Sequence, residues 1–260
     1  MYVLNVNRAA LIAYPERVLT EPEVARYAAL VSARVHGKPV AQLIGGREFY
    51  GRFFRVNEHV LIPRPETELL VEQALARVSA DLLTPCALDL GTGSGAIAIS
   101  LALEKSNLNV IAADISEEAL LIARANAASL NATVTFIESN WFAALGATRF
   151  HLIVANPPYI AGGDAHLGLG DLRFEPTIAL TDNSADGLDS IRHIVTHASD
   201  HLDANGWLLI EHGFDQGAAV VALFRARGFV DVETIRDYAG HPRIACGRWP
   251  LADTLKSIQL

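Results

Sequence analysis

Apolar and polar positions change period repeatedly along this chain, and the changes mark its elements. Short apolar runs bounded by turn-forming residues lie near 86–90, 109–113, 133–137, 151–155 and 206–211. Runs of that kind are what strands buried on both faces look like. Between and after them, near 95–104, 117–129, 187–203 and 215–227, apolar residues recur at helical spacing. Two further strands are expected near 229–235 and 243–249. Alternation of strands and helices predicts an α/β fold, doubly wound around a mostly parallel seven-stranded sheet.

The chain ahead of this pattern is organised differently. Val24, Ala28, Val31 and Val35 keep approximate helical spacing behind Thr20-Glu21-Pro22-Glu23, a helix start with proline in its first turn. Gly37-Lys38-Pro39 stops it. The expected organisation is a small helical N-terminal appendage over 1–38 and a linker over 39–65. The main domain follows over 66–250, opening with a helix from Thr67 to Val78, and a tail covers 251–260. Within the linker, Phe49 to Val56 reads as a β-hairpin turning at Gly51.

Composition narrows the class. Of 260 residues 51% are apolar, ample for a buried sheet, yet no uncharged apolar run approaches the ~20 residues of a membrane span. Asn5, Asn7 and Arg8 interrupt the N-terminus where a secretory signal needs an apolar core. Cys86 and Cys246, the two cysteines, sit in apolar runs and read as buried thiols of a reducing cytoplasm. A net charge of −8 gives no support to broad or stable nucleic-acid binding.

The most informative stretch is Asn156-Pro157-Pro158-Tyr159, directly after the apolar run His151–Ala155. Two prolines fix φ and remove two N–H donors, so the strand leaves into a stiff turn. The Asn156 amide and the Pro157 carbonyl are then placed to accept hydrogen bonds from a planar NH₂ group, with Tyr159 as a flat wall. Upstream, Ala87-Leu88-Asp89-Leu90-Gly91-Thr92-Gly93-Ser94-Gly95 runs from a strand through a glycine-rich turn into a helix. Gly91-x-Gly93-x-x-Ala96 also satisfies a relaxed dinucleotide fingerprint, with Asp114 where its ribose-binding acid would stand. Asp89 favours another ligand: an acid at that strand end accepts from an ammonium and repels a pyrophosphate. An amino-acid-bearing nucleoside such as S-adenosylmethionine fits better.

These residues, with Gly46-Arg47-Glu48-Phe49, Leu61-Ile62-Pro63-Arg64-Pro65-Glu66-Thr67-Glu68, Arg173-Phe174-Glu175-Pro176 and Glu211-His212-Gly213, resemble the HemK/PrmC family. Its members are S-adenosylmethionine-dependent protein-glutamine N5-methyltransferases acting on the Gly-Gly-Gln motif of peptide-chain release factors. The resemblance runs from about Pro39 to Trp249. Asn-Pro-Pro-Tyr by itself is shared with nucleic-acid amino methyltransferases, and a sister branch modifies a ribosomal protein, so both substrates stand as alternatives. The resemblance implies a class I, Rossmann-like methyltransferase domain, cytoplasmic, yielding S-adenosylhomocysteine. It implies that Asp89, Gly91, Thr92, Gly93 and Gly95 cradle the methionine part and Asp114 the ribose. Asn140 and Trp141 would border the adenine. It also implies that Asn156, Pro157, Pro158 and Tyr159 hold the glutamine, with Arg64, Phe174 and Glu175 beside them. Two departures stand out: the family's helical N-terminal domain is shortened here, and Asn140 replaces a common aspartate. Either side chain has an oxygen that can accept from an amino group.

Other features carry less. His193, His197 and His201 share one helix face, and no H-E-x-x-H motif accompanies them. No metal is expected. Ile160–Ser184 has little periodicity and reads as a rim over the substrate, with Phe174-Glu175-Pro176 beneath it, or as a disordered loop. Arg64 could reach substrate or brace the hairpin. Glu211 and His212 lie at a strand end, structural or part of the site.

Overall fold

The computed structural model describes residues 1–251. Helices α1 (Arg8–Ala13), α2 (Glu21–Val35) and α3 (Val40–Ile44) precede a hairpin of β1 (Gly46–Phe49) and β2 (Arg52–Arg55). A 3-10 turn (Pro65–Thr67) leads into α4 (Glu68–Arg77), β3 (Cys86–Leu90), α5 (Ala96–Glu104), β4 (Asn109–Asp114), α6 (Glu117–Leu130) and β5 (Thr135–Glu138). The chain continues through β6 (Phe150–Ala155), α7 (Asp189–His201), β7 (Leu202–Glu211), α8 (Gly217–Arg227), β8 (Val230–Arg236) and β9 (Pro242–Arg248).

The expected seven-stranded sheet is present, in the order β5-β4-β3-β6-β7-β9-β8. Its first five strands are parallel, and β9 is antiparallel to both neighbours. From β3 the chain works outward through β4 and β5, then returns to place β6 on the other side of β3. Strand order reverses there, and the loops leaving β3 and β6 part to open a crevice, the position where such sheets bind ligands.

The sheet is buried on both faces because its central strands carry continuous apolar runs such as Leu152-Ile153-Val154. Leu88 and Leu90 face a layer built with Ile191 and Ile194 of α7 and Phe224 of α8. Ala87, one residue out of phase, faces Leu70 and Val71 of α4 and Ile97 and Leu101 of α5. Each fully buried leucine or isoleucine there contributes about 1.5–3 kcal/mol. Asp89 is a polar exception, wholly buried near the end of β3.

The hairpin turns at Tyr50 and Gly51, with φ of 50° and 71°. That is the left-handed pair which matches the twist of the flanking strands. The hairpin packs onto α6 through Asn126, whose side-chain oxygen accepts the Arg55 N–H at 2.8 Å while its amide donates to the Arg55 and Ser94 carbonyls at 3.1 and 2.8 Å. Helix α2 starts as its sequence predicts, with the Thr20 N–H donating to the Glu23 carboxylate at 2.8 Å. It buries no residue, and Val24, Tyr27, Val31 and Val35 are exposed.

Four details differ from the sequence-based expectations. Pro39 does not simply end a helix; it starts the short α3, whose five residues are too few to show a period. Helix α7 stops at His201, and β7 begins at Leu202, four residues earlier than its apolar run. The extension is polar but held, because the Asn205 N–H donates to the Trp249 carbonyl at 2.8 Å. Cys86, at the open start of β3, is half-buried, whereas Cys246 is buried as expected, with its thiol pushed up to about 11 by burial. Beyond residue 251 the expected tail lies outside the described residues.

Candidate active site

A cavity of about 510 Å³ opens at the switch point, and the loops leaving β3, β4, β5 and β6 line it. Gly91 and Gly93 form one wall, with φ of 70° and 55°. A side chain at Gly93 would meet nothing within 4 Å, so only open space adjoins that backbone. Gly95 serves packing instead, since a β-carbon there would stand 2.8 Å from Ile99 and 3.2 Å from Ala123. It lets α5 approach α6 and does not line the cavity.

Asp114 ends β4 at the cavity edge. One carboxylate oxygen accepts the Gly93 N–H at 2.8 Å and the other the Ser116 N–H at 2.9 Å, which ties the glycine loop to the start of α6. Burial raises the Asp114 carboxyl's pKa against the pull of these N–H groups. Asn140 and Trp141 follow β5 and line the cavity, with Trp141 held at φ 51°. Trp141 lies near His193, whose ring lies tilted against His197 at 4.3 Å between centroids. The third histidine, His201, stacks on Phe142 instead, so the three do not converge.

Asp89 sits beneath the loop and does not line the cavity. Its Oδ2 accepts from the Thr92 hydroxyl at 2.6 Å and from the Ala98 N–H at 3.2 Å. Thr92 is thereby turned inward, away from the cavity it was expected to line. Asp89 Oδ1 is buried without a partner, and desolvation pushes the carboxyl up to about 7. An unpaired buried acceptor is costly unless something donates to it.

A second, smaller cleft of about 70 Å³ adjoins the first, lined by Arg64, Pro157, Tyr159 and Leu172 among others. Asn156 lines both spaces, whereas Pro158 faces the larger one. Asn156 Nδ2 donates to the Thr67 hydroxyl at 3.2 Å, which turns its side-chain oxygen away from Thr67. Tyr159 reaches the Glu211 carboxylate with its hydroxyl at 3.5 Å, and burial raises its pKa.

Phe174 and Glu175 line neither space. The buried Glu175 carboxylate accepts the Ile62 N–H at 2.8 Å and pairs with Arg64. Arg64 therefore braces this segment while its stem borders the small cleft. Phe174 lies under the Arg173 guanidinium, close to Gly37, and its carbonyl accepts from Gln42. Arg34 pairs with Asp171 and Arg173 donates to the His36 carbonyl, so the rim is strapped to the N-terminal helices. The Ile160–Ser184 segment is thus ordered, folded as three 3-10 turns and bridged from Ile160 to Thr181. Pro176, Thr177 and Ile178 reach the large cavity from it.

Sequence reasoning missed Thr67 and left Glu211 unassigned. Thr67 is 4% exposed at the end of its 3-10 turn and Glu211 is 1% exposed at the end of β7. Thr67 falls within the Leu61–Glu68 motif, but nothing there pointed to its partner, because Asn156 is 89 residues away. His212 points elsewhere: its Nδ1 donates to the Gly213 carbonyl at 2.8 Å and its ring packs at Gly217.

Residues 65–174 match the family model of the methyltransferase small domain, and residues 1–45 match that of the PrmC N-terminal domain. The chain is 49% identical over 256 residues to the release factor glutamine methyltransferase of Burkholderia pseudomallei, covering 96% of this chain and 89% of that one. It is also 49% identical to the protein of the same name from Pseudomonas aeruginosa, over 93% of this chain and 87% of that one. A methyltransferase structure from Pyrococcus furiosus shares the fold, with a TM-score of 0.57 and 19% identity over 85% of this chain and 98% of that one.

Proposed function

We propose a mechanism from this premise: the chain belongs to the family of release factor glutamine methyltransferases. The enzyme transfers a methyl group from S-adenosylmethionine to the side-chain amide nitrogen of the glutamine in the Gly-Gly-Gln motif of class 1 peptide-chain release factors. The observation that carries this reading is the position of Asn156, which lines both the large cavity and the small cleft. The first has the volume and the glycine wall for a nucleoside with an amino-acid tail. The second is several times the space one water needs, which suits a planar carboxamide.

The residues present fit the donor that the family and fold imply. Gly91 and Gly93 leave open backbone, Asp114 stands at the cavity edge, and Asn140 offers a side-chain amide beside the Trp141 ring. Asp89 keeps one buried carboxylate oxygen unpartnered beneath the loop. When bound, S-adenosylmethionine supplies a methyl group on a positively charged sulfur.

An amide nitrogen is a poor nucleophile because its lone pair is delocalised into its carbonyl. Asn156 Oδ1 and the Pro157 carbonyl accept its two hydrogens and so hold the plane of the amide. Such positioning can supply up to ~7–11 kcal/mol of a barrier. Both hydrogen bonds strengthen as positive charge develops on the nitrogen, so they stabilise the transition state more than the bound substrate. Tyr159 packs against the amide, and its ring face favours nearby positive charge. Thr177 and Ile178 of the rim help exclude water. The surplus proton leaves to solvent afterwards, and no strong base is needed.

Residues 1–38 dock the release factor in this reading, and 66–250 carry the transfer. The enzyme then works in the cytoplasm, with translation termination. The test is to incubate the purified protein with labelled S-adenosylmethionine and an unmodified release factor, and to map the methyl by mass spectrometry. A gain of about 14 Da on the Gly-Gly-Gln glutamine, falling ~10²–10³-fold in Asn156→Ala, is expected. Methyl on another residue, or undiminished transfer by the variant, would overturn the assignment.

A further inference from the structure

The small cleft has two kinds of wall. Asn156 and Pro157 offer acceptors for an amide, and Leu61, Leu172 and Leu180 offer apolar surface. A glutamine side chain suits such a space, because methylenes separate its amide from its backbone. Leu61 precedes the Ile62 N–H that Glu175 accepts, and the Leu180 carbonyl accepts the Ile160 N–H at 3.0 Å. Leu172 is held from a different direction.

Leu172 opens a 3-10 turn, Leu172–Phe174. Successive residues of such a turn point about 120° apart. Leu172 reaches the cleft, whereas the residues on either side of it do not. Both are fastened to the N-terminal helices instead. Asp171 pairs with Arg34, in the last turn of α2, at 2.6 Å. Arg173 donates to the carbonyl of His36, the C-cap of the same helix, at 2.9 Å. The Phe174 carbonyl accepts from Gln42 of α3 at 2.9 Å. Gly37 makes room for this junction, since a β-carbon there would stand 1.8 Å from the Arg173 guanidinium and 3.0 Å from the Phe174 ring. Three ties converge on one turn, and the residue between two of them faces the cleft.

We propose that the N-terminal helices complete the glutamine cleft, with Asp171 and Arg173 as positioning residues that hold Leu172 against the methylenes of the substrate side chain. This rests on the reading that the small cleft takes the substrate carboxamide. The helices then have a part in the transfer step in addition to docking. Leu172 limits the swing of the glutamine stem and keeps the amide aligned on Asn156 and Pro157, and transfer is sensitive to small errors in that alignment. Without the ties the turn keeps its anchor through Glu175, but Leu172 is free to withdraw. The Arg34–Asp171 pair is partly exposed and such pairs are weak singly, so the ties must be removed together.

The experiment measures release-factor methylation by wild type, the double variant Asp171→Ala/Arg173→Ala, Leu172→Ala, the triple variant and Asn156→Ala. A further double variant, Asp171→Ala/Arg173→Lys, keeps a donor for the His36 carbonyl. Calorimetry gives the affinity of each for S-adenosylhomocysteine. The alanine double variant should lower kcat about tenfold at saturating release factor, with cofactor affinity within about threefold of wild type. The lysine variant should recover most of that loss. Leu172→Ala should lower kcat to a similar extent, and the triple variant should fall no further, because the ties act through Leu172. A double variant with raised KM and unchanged kcat would mean that the ties serve docking alone and would overturn the proposal. Losses that multiply in the triple variant would overturn it too. If Leu172→Ala does not fold, the split between KM and kcat in the alanine double variant, and its recovery by lysine, decide alone. Undiminished transfer by Asn156→Ala would instead overturn the underlying reading, so the two failures are separable.

Discussion

Asn126 and Arg55 are joined in both directions: the asparagine accepts the Arg55 N–H and donates to the Arg55 carbonyl, as an adjoining strand would. The same amide donates to the Ser94 carbonyl in the glycine loop, so one wholly buried side chain docks the hairpin and fixes the glycine wall of the cavity. Asn126→Ala leaves three backbone groups without this partner. A loss of about 2–4 kcal/mol is expected, read as a lower urea midpoint with an unchanged slope.

Gly93 and Gly95, close neighbours in one loop, should fail in different ways. Gly95→Ala meets Ile99 at 2.8 Å and Ala123 at 3.2 Å in a left-handed conformation, so it should lower the melting temperature. Gly93→Ala carries the backbone strain without an internal clash and pushes its methyl toward the cavity. It should weaken S-adenosylmethionine binding at least tenfold while costing only about 1–2 kcal/mol of stability. Calorimetry and thermal unfolding on the two variants separate these effects.

Asp89 and Glu211 give the free protein an unusual pH response. Burial raises both carboxyls to about 7, from ordinary values of 3.8 and 4.5. Between about pH 4 and about pH 7 the folded state therefore holds more protons than the unfolded chain. Stability falls as pH rises across that window and levels off above it. The melting temperature without cofactor should drop from about pH 5 to about pH 7.5, and less steeply in Asp89→Asn. A flat wild-type profile would contradict the burial argument.

Glu175 ties the rim to the segment ahead of α4 through the Ile62 N–H and the Arg64 guanidinium. Glu175→Ala removes both, and charged hydrogen bonds of this kind contribute about 1.5–3 kcal/mol each. Amide exchange across residues 160–184 should accelerate, and KM for the release factor should rise several-fold while cofactor affinity holds.

What the sequence disclosed, and what it withheld, divides along physical lines. The central strands were legible because burial on both faces forces continuous apolar runs, as in Ala87-Leu88 and Leu152-Ile153-Val154. The glycine turn and the Asn-Pro-Pro turn were legible because their backbone geometry demands particular residue types. Asn126, Thr67 and Glu175 were not, or not for what they do. Each satisfies a backbone or side-chain group far away in sequence, and no local period records such a partner. Glu175 illustrates the limit well: its position near the substrate motif suggested contact with substrate, yet its carboxylate is engaged by Ile62 and Arg64.

Strands β3 and β6 are paired so that Leu90 stands beside Ala155. The next residue on each strand is Gly91 on one side and Asn156 on the other. The glycine wall and Asn156 are therefore spaced by a hydrogen-bonded ladder, whose neighbouring strands lie about 4.8 Å apart. In the proposed reading, the sheet serves as a ruler between the methyl donor and the nitrogen that receives it.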